Sequence, residues 1–249
     1  MGSLTSTQRT MHRTIFDTPV INTLLRGVSV GFLRLTGWTI EGALPAGASK
    51  SVLIAAPHTS NWDLPYTLMV AFALRLNVYW MGKEQLFRPP FRGVMRWLGG
   101  IPVNRAQAGN LVAASVAALQ QAPGPVQLIV PPEGTRSKTR YWTTGFYYIA
   151  LGAQVPIVMA YMDYERKRSG LGPVFVPTGD VDADMATIKA FYAPFKGRNA
   201  AQFHAGESRS LDSRFHGNDE KGCHPRLRTG IHAPPDSRCH RNDPGTRWE

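Results

Sequence analysis

His58 and Asp63 stand five positions apart in "PHTSNWD" (57–63), directly after the apolar run "SVLIAA" (51–56). A turn after a strand, followed by a helix beginning near Ser60, brings the aspartate back toward the imidazole. A carboxylate on one ring nitrogen fixes the tautomer and supports the imidazolium, leaving the other nitrogen to take a proton. The same stretch also reads as a helix start, with Ser60 as N-cap and Asp63 three positions on. The two readings coexist if the helix begun at Ser60 carries Asp63. No G-x-S-x-G serine elbow occurs, and the first 222 residues hold no cysteine. A histidine base here therefore has to activate a hydroxyl belonging to the substrate. The other histidines before the last 45 residues are His12, in a polar leader, and His204, so His58 is the one placed for catalysis.

Two further stretches suit an oxyanion. In "VPPEGTRSKTRYWTTG" (130–145), Gly134 between Glu133 and Thr135 lets backbone N–H groups approach an anion, and Arg136 offers bidentate contact to phosphate. In "GGIPVNR" (99–105), Arg105 follows a short apolar run. Read alone, the first is a turn with a charged rim and the second a solvated arginine at a loop.

These residues need a frame that gathers them. Strand-like runs appear at 51–56, 78–82, 101–105, 126–131 and 155–163, with helical stretches between them at 64–76, 89–99, 110–122 and 143–153. Near-continuous apolar strands alternating with helices predict an α/β domain, its sheet covered by helices on both faces. In such sheets ligands bind beyond the carboxyl ends of the strands. His58, Arg105 and Glu133 each follow a strand, which predicts one shared pocket.

The order "HTSNWD", "GGIPVNR", "PPEGTRS", "VPIVMAY" resembles the four blocks of the glycerolipid acyltransferases, the lysophosphatidic acid acyltransferase family, over roughly residues 50–165. The resemblance implies that family's domain, a mixed sheet with helices on both faces. It implies His58 as general base and Asp63 as its carboxylate. Arg105, Glu133, Gly134, Thr135 and Arg136 would bind the glycerol phosphate, and Val155, Pro156 and Ile157 would serve acyl-donor binding or packing. The reaction implied moves an acyl group from acyl-CoA or acyl-carrier protein, as co-substrate, to a lysophospholipid hydroxyl, with 1-acylglycerol-3-phosphate the default acceptor. Another lipid acceptor, or a non-catalytic lipid-binding protein on the same fold, are the alternatives. No metal or other cofactor is implied. The chain departs from the family in having Pro131-Pro132 where Phe-Pro is common, and Asn104 where an acidic residue usually precedes the arginine.

Charge and composition frame the rest. The chain has 249 residues and a net charge of +11. Its last 45 residues hold 8 Lys+Arg and 7 Asp+Glu, leaving 20 and 10 in residues 1–204. The basic excess thus belongs to the body and suits an anionic membrane surface. Nucleic acid is the weaker reading, because Trp142, Phe146, Tyr147 and Tyr148 lie in or beside a predicted helix where packing explains them. No run of 18 apolar residues occurs, so no ordinary membrane span is expected. In "PVINTLLRGVSVGFLRLTGW" (19–38), Ile21, Leu24, Leu25, Val28, Phe32 and Leu35 recur at spacings of three and four, with Asn22, Arg26 and Ser29 on another side. That helix either lies in a bilayer interface or covers the core. The expected organisation is a leader and amphipathic helix at 1–40, the acyltransferase domain at 41–204 and a disordered tail at 205–249. The tail repeats "DSRFHGND" as "DSRCHRND" and is too poor in large apolar residues to order itself. Its Cys223-His224 and Cys239-His240 pairs lack the spacing that turns two side chains to one zinc ion. The expected location is peripheral, at the cytoplasmic face of the cell membrane.

Overall fold

The structure is a computed structural model, describing residues 14–103, 108–134, 141–203 and 207–208. The chain divides into two units, 1–211 and 212–249, and every described residue belongs to the first. The Cys-His pairs of the tail, His12, His204, Arg105, Thr135 and Arg136 all lie outside the described residues.

In chain order the elements are α1 (Pro19–Leu35), β1 (Thr39–Glu41), β2 (Lys50–Ala56), α2 (Asp63–Ala73), β3 (Val78–Lys83), α3 (Arg92–Trp97) and β4 (Gly100–Val103). There follow α4 (Ala108–Gln121), β5 (Val126–Val130), β6 (Tyr141–Trp142), α5 (Gly145–Ala153), β7 (Ile157–Asp163), β8 (Arg168–Phe175), α6 (Val181–Tyr192) and β9 (Glu207–Ser208). Seven strands form one sheet in the order β1-β8-β7-β2-β5-β3-β4, and β6 pairs with β9 apart from it. Every neighbour in the large sheet is parallel except the antiparallel β7–β8 pair, which makes the sheet mixed.

The side-chain alternation of the strands assigns the helices to faces. Val52, Ile54, Leu128, Ile157 and Met159 point to a core closed by α4, α5 and α6, through Leu119, Phe146, Tyr147, Met185, Ile188 and Tyr192. Leu53, Val78, Trp80, Ile129 and Val158 point the other way, to a core shared with Ile21 and Leu25 of α1 and with Leu64, Ala71 and Phe72 of α2. Phe87 and, from α3, Met95 complete it. With both faces buried, "SVLIAA" and "VQLIV" have no solvent side to keep polar, which is why they read as nearly continuous apolar runs; the buried Gln127 amide is satisfied by the Asn77 N–H and the Ser49 carbonyl.

Two expectations change on contact with the structure. The apolar residues of α1 do not share one face. Ile21 and Leu25 enter the core, Ser29 and Leu33 are buried, and Val20, Leu24, Val28, Phe32 and Leu35 are 42–90% exposed. Asn22, Arg26 and Ser29 turn to the protein instead, while Thr23 and Arg34 stay exposed. The Asn22 amide donates to the Phe16 carbonyl, and Arg26 Nε donates to the Ala73 carbonyl at the end of α2. Ser60, for its part, does not cap α2. The helix begins at Asp63, and the Ser60 hydroxyl accepts from the Trp62 N–H across a turn. Half of the expected box does form, because the Asp63 carboxylate accepts from the Ser60 N–H.

Candidate active site

Three neighbouring strands end where the site is built. Parallel pairing sets Ile54 of β2 beside Val130 of β5, and Ala56 of β2 beside Tyr161 of β7. Residues just past each strand therefore meet at one edge: His58 after β2, Glu133 after β5 and Tyr164 after β7.

His58 Nδ1 lies 3.1 Å from Asp63 Oδ2, with the imidazole part-exposed and the carboxylate buried. A carboxylate accepts only, so neutral His58 carries its proton on Nδ1, and Nε2 is the basic nitrogen. No hydrogen bond from a described residue reaches Nε2, and His58 lines a cleft of about 360 Å³. Asp63 is held from several sides. Its Oδ2 accepts the N–H groups of Thr59 and Ser60, both at 2.8 Å, and its Oδ1 accepts the Tyr164 hydroxyl at 2.8 Å. Burial and the adjacent Asp63 push the Tyr164 phenol far above its ordinary range, so it stays a donor. Tyr164 is wedged edge-on between Trp38, 5.1 Å away between ring centres, and Tyr66, at 5.8 Å.

Glu133 sits under this loop. It is 6% exposed, and both carboxyl oxygens accept the His58 backbone N–H, at 3.0 and 3.1 Å. Burial pushes its carboxyl up to about 8; the His58 N–H opposes that shift and the charge of Asp63 adds to it. Glu133 is not among the residues lining the cleft, whereas Gly134 is. Gly134 takes φ +65°, in the left-handed region that favours glycine, as its N–H closes a turn onto the Pro131 carbonyl.

The N–H groups of His58, Thr59, Ser60, Trp62, Asp63 and Gly134 all have internal acceptors. None of these six stands ready as an oxyanion donor. The cleft runs from His58 and Asp63 between α2 and the end of β3. Leu64, Leu68, Trp80 and Ile129 give it an apolar lining, with Lys83 and Gln85 beside them. That shape suits an acyl chain with a polar head.

The remaining candidates fall elsewhere. Val155 and Pro156 precede β7, and Ile157 opens it fully buried, four register positions short of Tyr161. They stand at the opposite end of the strands from His58, with Ile157 roughly 13 Å along β7 from Tyr161, the partner of Ala56, and Ile157 packs in the core. Arg105 is outside the described residues; β4, which precedes it in sequence, stands three places from β2 in the sheet. Tyr164 was not anticipated. Nothing marks it in sequence, since it stands 101 residues from Asp63 and reaches it only through strand order.

Residues 38–163 match the protein-family model described as Acyltransferase, which is just over half of the chain. Among solved structures, the fold is similar to that of the 1-acyl-sn-glycerophosphate (LPA) acyltransferase, PlsC, from Thermotoga maritima. The TM-score is 0.50 at 15% identity, covering 72% of this chain and 81% of that one. No curated protein sequence matches the chain.

Proposed function

This chain belongs to the Acyltransferase family, and on that premise we propose that it moves a fatty acyl group from acyl-CoA or acyl-carrier protein to a lysophospholipid hydroxyl, with 1-acylglycerol-3-phosphate as the default acceptor in phospholipid synthesis. The observation that carries the proposal is the 3.1 Å His58–Asp63 contact at the edge of an apolar cleft.

His58 Nε2 takes the proton of the acceptor hydroxyl as that oxygen attacks the thioester carbonyl. Asp63 holds the imidazole in register and balances the imidazolium that forms. The C–O bond forms, the C–S bond breaks as the tetrahedral adduct collapses, and the imidazolium proton passes to the departing thiolate. General-base assistance of this kind contributes about 10²–10⁴-fold. No covalent acyl-enzyme is needed. Glu133, Gly134, Thr135, Arg136 and Arg105 remain the candidates for holding the acceptor phosphate, with Glu133 acting from behind the loop.

The acceptor is a membrane lipid, and the inverted packing of α1 supports a peripheral seat on an anionic bilayer at the cytoplasmic face. With Asn22 and Arg26 turned inward, the helix leaves Leu24, Val28, Phe32 and Leu35 for a lipid interface, beside the exposed Arg34. No helix among the described residues is long and apolar enough to cross a membrane.

Purified protein given acyl-CoA or acyl-carrier protein and a panel of lysolipids should acylate one acceptor class. His58→Ala should lower kcat by at least about 10²-fold with an unchanged melting temperature. Full turnover by that variant would rule out the mechanism, and transfer to no lysolipid would rule out the acceptor class.

A further inference from the structure

Between β3 and β4 the chain runs "KEQLFRPPFRGVMRW" (83–97). Its first residues wall the His58 cleft through Lys83, Gln85 and Leu86. Phe87 turns inward against Trp80, 5.9 Å between ring centres, and Met95 packs on the same core. The other large apolar residues do the opposite. Leu86, Phe91, Val94 and Trp97 are 40–63% exposed, and the last three recur every third residue along one side of a short helical segment. Arg88 and Arg92 are exposed between them and Lys83 just ahead of them, and Glu84 is the segment's one carboxylate. No described element covers this side.

We infer that residues 86–97 form a second lipid-contact surface, across the cleft from α1, so that the cleft opens onto an anionic bilayer rather than onto bulk water. The inference rests on the acyltransferase reading for its substrate, but the surface itself stands on packing and charge. α1, α2 and the 84–97 segment share one core and so cover the same face of the sheet, with α2 and the cleft between the two exposed apolar stripes. Arginines interleaved with phenylalanine and tryptophan match an anionic headgroup layer, where guanidinium groups meet phosphate and aromatic rings settle at the acyl boundary. A bilayer accommodates separate protruding side chains, whereas a protein partner needs a continuous complementary surface. Lysolipid would then pass from the bilayer into the cleft without exposing its chain to water.

The test compares the full chain with Phe91→Ser/Trp97→Ser and with Arg88→Glu/Arg92→Glu, none of which lines the cleft. Co-sedimentation with vesicles of equal phosphatidylcholine and phosphatidylglycerol should weaken about tenfold or more for each double variant. Turnover of a short-chain acyl-CoA with a short-chain, monomeric lysolipid should stay within about twofold of wild type, which also establishes that the variants fold. Turnover of vesicle-embedded lysolipid should fall with vesicle binding. Undiminished binding by both variants would overturn the inference. So would a loss confined to acyl-carrier-protein turnover with vesicle binding intact, which would assign the surface to a protein donor. Absence of acyl transfer in the wild type would instead remove the reading of the site, while vesicle binding would still decide the surface.

Discussion

Glu133 is placed to steady the loop that carries His58 rather than to line the cleft. Both of its oxygens are committed to the His58 N–H, which fixes the backbone from which the imidazole hangs. Because its carboxyl is pushed up to about 8, largely by burial, the folded protein keeps it protonated over a range in which the unfolded chain has lost that proton. The unfolded state therefore binds fewer protons between about pH 4.5 and pH 8, and stability falls as pH rises through that window. Glu133→Gln keeps a carbonyl acceptor for the His58 N–H and removes the titration. It should flatten the decline, so that the variant gains stability over wild type at pH 8 but not at pH 4.5, as urea unfolding at the two pH values would read. A positioning role further predicts that Glu133→Ala lowers kcat while KM for the acceptor changes less than about threefold. A KM rise with kcat preserved would return Glu133 to direct contact with the acceptor.

Among the elements, α1 separates stability from surface chemistry most cleanly. Leu33 is 1% exposed and packs with Trp38, Val70 and Met162, so Leu33→Ala should cost about 2–5 kcal/mol. Leu24, on the outward stripe, should tolerate serine with a melting temperature within about 2 °C of wild type, since little buried area is lost. Thermal melts by circular dichroism would check both; equal losses would mean the stripe is buried against something. Periodicity made the helix legible but not its facing, because a regular apolar pattern does not say which stripe meets the core. The strands "SVLIAA" and "VQLIV" were legible because burial on both faces leaves them almost wholly apolar, Ser51 and Gln127 excepted. β8 was not, because "RSGLGPVF" gives up side chains for close approach: a Cβ on Gly170 would strike the Glu41 carbonyl and one on Gly172 the Phe191 ring. α6 was hidden by its acidic start, although Asp180, whose carboxylate accepts from the Ala183 N–H, was the capping signal available. Within the site, His58 and Asp63 were legible from local spacing. The contributions of Tyr164 and of the Glu133 backbone contact depend on which strands lie side by side, and local spacing carries no such information.

For the molecule as a whole, the loop that carries His58 is closed from the far end of the described chain. After α6, the Lys196 carbonyl accepts the Tyr164 N–H, and Asn199 reaches Thr59 twice. Its N–H donates to the Thr59 hydroxyl at 3.2 Å and its side-chain amide to the Thr59 carbonyl at 2.9 Å. Arg198 lies over the Trp62 ring, 5.2 Å from its centre. This clasp crosses 140 residues of sequence and locks Thr59, one of the two loop residues whose N–H groups are donated to Asp63. Gly197 sits at its tightest point, where an added Cβ would come within about 2.5 Å of the Thr59 hydroxyl oxygen and 2.7 Å of its methyl group. Gly197→Ala should therefore lift the segment from the loop, costing about 1–3 kcal/mol in stability and lowering kcat with it. Removing the struck atoms should reverse much of that loss: in Gly197→Ala/Thr59→Ala the two tightest overlaps, both with the threonine side chain, are gone and the next contact, Pro57 at 3.1 Å, is a milder one. A double-mutant cycle read by both urea unfolding and acyl transfer should accordingly show a favourable coupling of about 1 kcal/mol or more. Strict additivity in both readouts would mean that the clasp packs against the loop without holding it.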